Sequence, residues 1–166
     1  MNDLPVLYSF RRCPFAIRAR MAVAAAGIEV TIREVLLKDK PPELVAASDK
    51  ATVPVLVLPD GNVIDESLEV MGWALAQRAP LDWLSEEGLS SHWIQACDGE
   101  FKYWLDRYKY ATRHPEHKVE YYRLEAEGFL RKVEDRLTAL SWLGGKAPSV
   151  IDVALFLSLI HISEPT

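Results

Sequence analysis

The feature that most restricts how this chain can fold is a change of period between Val6 and Arg20, with a cysteine and a proline at the point of change. Val6, Tyr8 and Phe10 alternate with Leu7 and Ser9, the two-residue period of a strand, and the pattern beyond Cys13-Pro14 is helical. Proline is favoured at the first helical position, where its missing N–H would have had no partner, so Cys13 is expected at the N-cap. A sulfur there is expected to face orphan backbone N–H groups, those of Phe15 and Ala16, and the positive end of the helix dipole. Both favour thiolate over thiol, and Arg11 and Arg12 add positive charge beside it. Cys13 is therefore expected to be a nucleophile.

The helix after Cys13 is expected to bury Ile17, Met21 and Ala24 or Ala25 and to end at Gly27 as a C′ glycine. Ile28, Val30 and Ile32 then alternate with polar residues as a second strand, and a strand-helix-strand order implies a parallel crossover. Lys38-Asp39-Lys40-Pro41-Pro42 reads as a loop, Glu43 to Ala47 as a short helix, and the runs Val53–Leu58 and Val63-Ile64 around Asp60-Gly61 as an antiparallel hairpin. Asp65-Glu66-Ser67 opens a helix whose expected buried stripe is Leu68, Met71 and Leu75. The fold class expected is α/β, with a thioredoxin-like N-terminal domain of order βαβαββα.

Residues 79–88 break the pattern and read as a linker between a domain over residues 1–78 and a wholly helical one over residues 89–156. Ser90 to Ala111 carries Trp93, Cys97, Phe101, Trp104, Leu105 and Tyr108 at helical spacing. Glu116 to Leu140 is a second helix, with Tyr121, Leu124, Phe129, Val133 and Leu137 expected on its buried face. Ser149 and Asp152 form a capping-box variant that opens a third. Residues 157–166 look like translated read-through of a sequencing adapter, so the all-α C-terminal domain is expected to be incomplete and the tail non-native.

A hydrophobic share of 49% in 166 residues is ample for a packed core, and a formal net charge of −5 argues against nucleic acid or an anionic membrane as the main partner. No apolar run is long enough to span a bilayer, and the start of the chain does not read as a signal peptide. Two cysteines make no disulfide framework, and a cytoplasmic, reducing location is expected. Cys97, mid-helix among apolar residues, reads as core. His114 and His117 lack the further ligands of a zinc set, so no metal is expected. The mixed basic and aromatic run from Phe101 to Tyr110 is diluted by Asp98, Glu100 and Asp106 and reads as an amphipathic helix.

Cys13-Pro14-Phe15-Ala16 with Arg18 and Arg20, Leu37-Lys38-Asp39-Lys40-Pro41, Val53-Pro54-Val55-Leu56 and Glu66-Ser67 together resemble the glutathione transferases, specifically the omega-like, cysteine-bearing members. The resemblance implies glutathione as co-substrate. Cys13 would be catalytic, Ser67 at a helix N-terminus would take the γ-glutamyl carboxylate and Glu66 the ammonium. Lys38 would reach the glycyl carboxylate, and the backbone of Val53, held by a cis Pro54, would pair with the cysteinyl portion. Trp104 and Tyr108 would contribute to the apolar wall facing the second substrate.

Position 16 is alanine, so the second cysteine of a dithiol motif is absent and monothiol exchange is the expected reaction. The resemblance also implies reduction of dehydroascorbate or reductive cleavage of activated carbon-heteroatom bonds as reactions of related members, and thiol-disulfide exchange on a glutathionylated thiol stands beside two further alternatives, conjugation of glutathione to a small electrophile and a non-enzymatic binding protein on the same fold. A likeness to intracellular chloride-channel proteins is a further reading, weakened by the lack of a long apolar stretch. The resemblance allows a homodimer of the full-length protein.

Overall fold

A computed structural model describes residues 4–80, 83 and 87–160. The chain divides into two units, Met1–Leu81 and Asp82–Thr166. The first runs β1 (Val6–Ser9), α1 (Pro14–Ala25), β2 (Thr31–Glu34), α2 (Pro42–Ala47), β3 (Val55–Val57), β4 (Val63–Ile64) and α3 (Ser67–Gln77), the thioredoxin-like order. Its four strands lie in the order β2-β1-β3-β4. β1 pairs in parallel with β2, Leu7 opposite Ile32, and antiparallel with β3, Leu7 opposite Leu56.

Central position explains why β1 is largely buried, with Leu7, Tyr8 and Ser9 inside. β2 lies at the edge and begins three residues later than Ile28, with Ile32 54% exposed. Alternation misplaces it because an edge strand has no need to bury a full face. The buried side of α1 is also displaced. Ala16, Arg18, Ala19, Ala22 and Val23 are buried, while Ile17 and Met21 are half-buried and Ala24 and Ala25 exposed. Small alanines let α1 lie close against α3. Gly27, at φ +66°, supplies the left-handed residue that closes α1. In α3, Met71 is buried as expected, joined by Val70 and Ala74, while Leu68 and Leu75 are half-buried.

The second unit is helical. α4 (His92–Ala96), a π-helical turn over Cys97–Phe101 and α5 (Lys102–Lys109) follow head to tail where one regular helix is expected. Ile94, Cys97, Phe101 and Leu105 form their buried side. α6 (Val119–Ala139) buries Tyr122, Ala126, Phe129 and Val133, while Tyr121, Leu124 and Leu137 are exposed. Tyr122 goes inside because its hydroxyl is satisfied there. It donates to the His114 carbonyl at 2.9 Å and accepts from the His117 N–H at 3.1 Å.

α7 (Val150–Ile160) opens on the expected capping box. The Ile151 N–H reaches Ser149 Oγ at 3.2 Å and the Ser149 N–H reaches Asp152 Oδ2 at 2.9 Å, while the other Asp152 oxygen accepts the Leu143 N–H at 2.8 Å. Gly144 permits that knot, because a Cβ there would fall 2.1 Å from Ser149 Oγ. α7 continues through Leu157–Ile160, the first four residues of the expected tail, whereas residues 161–166 lie outside the described residues. So do residues 81, 82 and 84–86 of the expected linker.

Candidate functional site

Cys13 stands at the N-cap of α1 with Pro14 at the first helical position. Its N–H is bonded to the Phe10 carbonyl at 3.0 Å and its carbonyl accepts from Ile17 at 2.9 Å, which fixes the turn out of β1. Arg20 secures the same turn from about two helical turns on. Its guanidinium donates to Ser9 Oγ and to the carbonyls of Phe10, at 3.5 Å, and Arg11, at 3.4 Å. The thiol does not cap the helix. Its Sγ–H is directed to the Val53 carbonyl at 3.6 Å, not toward the N–H groups of Phe15 and Ala16. The sulfur is half-buried, packed against the cluster of Tyr8, Ala16, Val35, Leu44, Val53 and Val55.

The Val53-Pro54 peptide is cis, and both residues are buried. Ala51, just before it, holds φ +45°, an uncommon conformation for a residue with a Cβ. This bend brings the chain against Cys13 and then releases it into β3.

A pocket of about 470 Å³ opens beside the sulfur, lined by residues that include Cys13, Phe15, Lys40, Val53, Glu66 and Ser67. Of the residues singled out by sequence, Cys13, Val53, Pro54, Glu66 and Ser67 meet here. Lys38 does not line it. The Asp39 N–H bonds the Leu36 carbonyl at 2.9 Å, closing a tight turn with Lys38 near its tip, and the chain that returns brings Lys40 to the wall instead. Trp104 and Tyr108 belong to the second unit, where Trp104 packs edge-on to Tyr103 at 4.8 Å between ring centroids.

Ser67 and Glu66 differ sharply in surroundings. Ser67 is 3% exposed, at the first turn of α3, and its Oγ accepts two bonds from Arg18, from Nε at 3.0 Å and Nη2 at 2.8 Å. A hydroxyl has two acceptor positions and one proton. With both acceptor positions taken by a guanidinium, what Ser67 has left to offer is a donor, the polarity an anion needs. Arg18 is itself 3% exposed, with its Cζ 4.8 Å from the Phe15 ring centroid. The one signal of this pair in the sequence is an arginine inside an alanine-rich helix face. Glu66 is half-exposed and paired with Lys50, a residue unremarked in the sequence. Asp65 accepts a hydrogen bond from Ser48 Oγ at 3.0 Å.

The pocket thus brings together a cysteine at a helix start, a cis proline opposite it and the N-terminal turn of a second helix. Residues 12–77 match the glutathione S-transferase N-terminal domain. No curated protein matches the chain by sequence. Among solved structures, a trimeric glutathione transferase of Leishmania is similar at 24% identity and a TM-score of 0.75, over 96% of this chain and 37% of that one. A glutathione transferase family member of Pseudomonas fluorescens, solved with two glutathione bound, is similar at 17% identity and a TM-score of 0.79, over 96% of this chain and 77% of that one. The glutathione transferase Omega 3C of Trametes versicolor is similar at 20% identity and a TM-score of 0.79, over 96% of this chain and 73% of that one. At these identities the likeness is one of fold: a glutathione S-transferase N-terminal domain of thioredoxin-like architecture followed by a mainly helical region. The chain spans little over a third of the Leishmania protein's length.

The described residues hold no cluster of His, Cys, Asp and Glu suited to a metal ion. No described helix is long and apolar enough to cross a membrane.

Proposed function

We propose that the chain is a glutathione-dependent thiol transferase of the cysteine-bearing, omega-like type, working by thiol-disulfide exchange in the cytoplasm. The observation that carries this reading is the position of Cys13 Sγ, half-buried in the pocket, 3.6 Å from the carbonyl of the residue before the cis proline. In the proposed reaction the Cys13 thiolate attacks the glutathionyl sulfur of a mixed disulfide. The old S–S bond breaks, the substrate thiolate leaves and takes a proton, and Cys13 is left joined to glutathione. The thiolate of a second glutathione then attacks the glutathionyl sulfur, releasing oxidised glutathione and regenerating Cys13. Ala16 in place of a second cysteine supports this monothiol course.

Within the pocket, the Ser67 hydroxyl and N–H take the γ-glutamyl carboxylate, Glu66 faces the ammonium, and the Val53 backbone pairs with the cysteinyl residue. Lys40 replaces Lys38 as the cation for the glycyl carboxylate. In this reading residues 1–78 bind glutathione, residues 79–88 link, and residues 89–156 contribute Trp104 and Tyr108 to the side of the second substrate.

The test is incubation with oxidised glutathione followed by intact mass and peptide mapping, together with turnover of a small glutathionylated thiol. One adduct on Cys13, and loss of turnover in Cys13→Ala, are expected. Turnover that survives Cys13→Ala would remove Cys13 from the chemistry.

A further inference from the structure

The carboxylate that this reading assigns to the ligand's ammonium already has a cation. Lys50 lies on the loop between α2 and the cis peptide, next to pocket-lining Ala51, and its Nζ donates to Glu66 Oε1. The two side chains are 55% and 53% exposed, so the pair sits at the pocket rim. Hydrogen bonding and charge attraction from Glu66, followed by Asp65 and Glu69, raise the Lys50 pKa above its ordinary value. Three carboxylates thus favour an ammonium at this point of the rim. A ligand ammonium arriving at Glu66 meets a like charge and must share the carboxylate or displace Lys50.

Resting on the glutathione reading above, we propose that Lys50 is a specificity-determining residue that fills the ammonium subsite from within the chain. The pocket then gains little from the ligand's α-amine and accepts γ-linked thiol peptides in which that amine is absent. The carboxylate contact at Ser67 is untouched by this substitution of cations. The Ser67 hydroxyl is held independently by Arg18. Because the Lys50–Glu66 pair is exposed, displacing it costs little and ordinary glutathione still binds.

The experiment is a cycle in which both the residue and the ligand change. S-methylglutathione and its desamino analogue, neither able to exchange with Cys13, are titrated calorimetrically into the full chain and into Lys50→Met, with Lys50→Gln as a second variant. In the unaltered chain the two ligands are expected to bind within about 2-fold of one another. Removing the lysine cation frees Glu66 and should raise the preference for the amine-bearing ligand by about 2- to 5-fold, the range set by an exposed ion pair. Adding Glu66→Gln to Lys50→Met should abolish the gained preference. An amine preference that is equal in the unaltered chain and both lysine variants overturns the proposal while leaving the glutathione reading intact. Failure of the desamino analogue alone to bind the unaltered chain overturns the proposal, and failure of S-methylglutathione overturns both.

Discussion

Replacing Ser67 by alanine tests the polarity argument at the pocket more directly than any change to the nucleophile. The hydroxyl accepts two hydrogen bonds from a guanidinium that is 3% exposed, at 3.0 and 2.8 Å. Hydrogen bonds to charged groups contribute about 1.5–3 kcal/mol each, and removing the acceptor leaves a buried cation short of two of them. Some relaxation lowers the sum, so the expected loss is about 2–4 kcal/mol. For a unit of this size each kcal/mol corresponds to about 4–8 °C in Tm, so the transition of the first unit should fall by at least about 8 °C. Arg18→Met breaks the same pair but leaves only a neutral hydroxyl, and should cost less than Ser67→Ala. Urea unfolding of both single variants and the double variant, followed by circular dichroism, gives the coupling energy, expected at about 2 kcal/mol. The same alanine removes the donor offered to a ligand carboxylate, so affinity for S-methylglutathione should drop by about 10- to 100-fold. Strictly additive single variants, or a Ser67→Ala chain within about 0.5 kcal/mol of the original, would refute the reasoning.

The exchange of one lysine for another at the pocket wall gives a second expectation: Lys40→Ala should weaken binding of a peptide with a C-terminal carboxylate by about 3- to 10-fold, while Lys38→Ala changes it less than 2-fold. Calorimetric titration of the two variants separates them, and equal effects would return Lys38 to the site. Asp152→Ala removes the acceptor shared by the Leu143 and Ser149 N–H groups and by Ser149 Oγ. It should destabilise the second unit by about 2 kcal/mol, measured as faster hydrogen exchange across residues 143–155. Unchanged exchange there would show that the cap contributes nothing to holding α7.

What could be read from the sequence was whatever a local rule decides by itself. Cys13-Pro14 fixes an N-cap, Gly27 a left-handed helix end, Asp60-Gly61 a hairpin and Ser149–Asp152 a cap, and each needs only its own neighbours. The faces of α1 and α6 were misread because alanine gives little contrast in a hydrophobic pattern and adjacent Tyr121 and Tyr122 differ only in what their hydroxyls can reach. Cys13, Val53, Pro54, Glu66 and Ser67, each part of a short sequence motif, line one pocket. The Arg18–Ser67 and Lys50–Glu66 pairs join residues 49 and 16 positions apart, and no spacing rule connects them. Lys40 lines the pocket and Lys38 does not because the turn closed between Leu36 and Asp39 carries Lys38 near its tip, a reversal that spacing in the sequence does not show.

The π-helical turn at Cys97–Phe101 lets the second unit absorb one residue without losing register. Such a turn carries one residue more than a regular winding for nearly the same rotation, and each residue of an α-helix advances the angle by about 100°. Deleting a single residue from that five-residue run would let the backbone rewind as an unbroken α-helix while Ile94 before it and Leu105 after it keep their buried faces. The same deletion in the regular helix of α5 would instead swivel everything after it through about 100°.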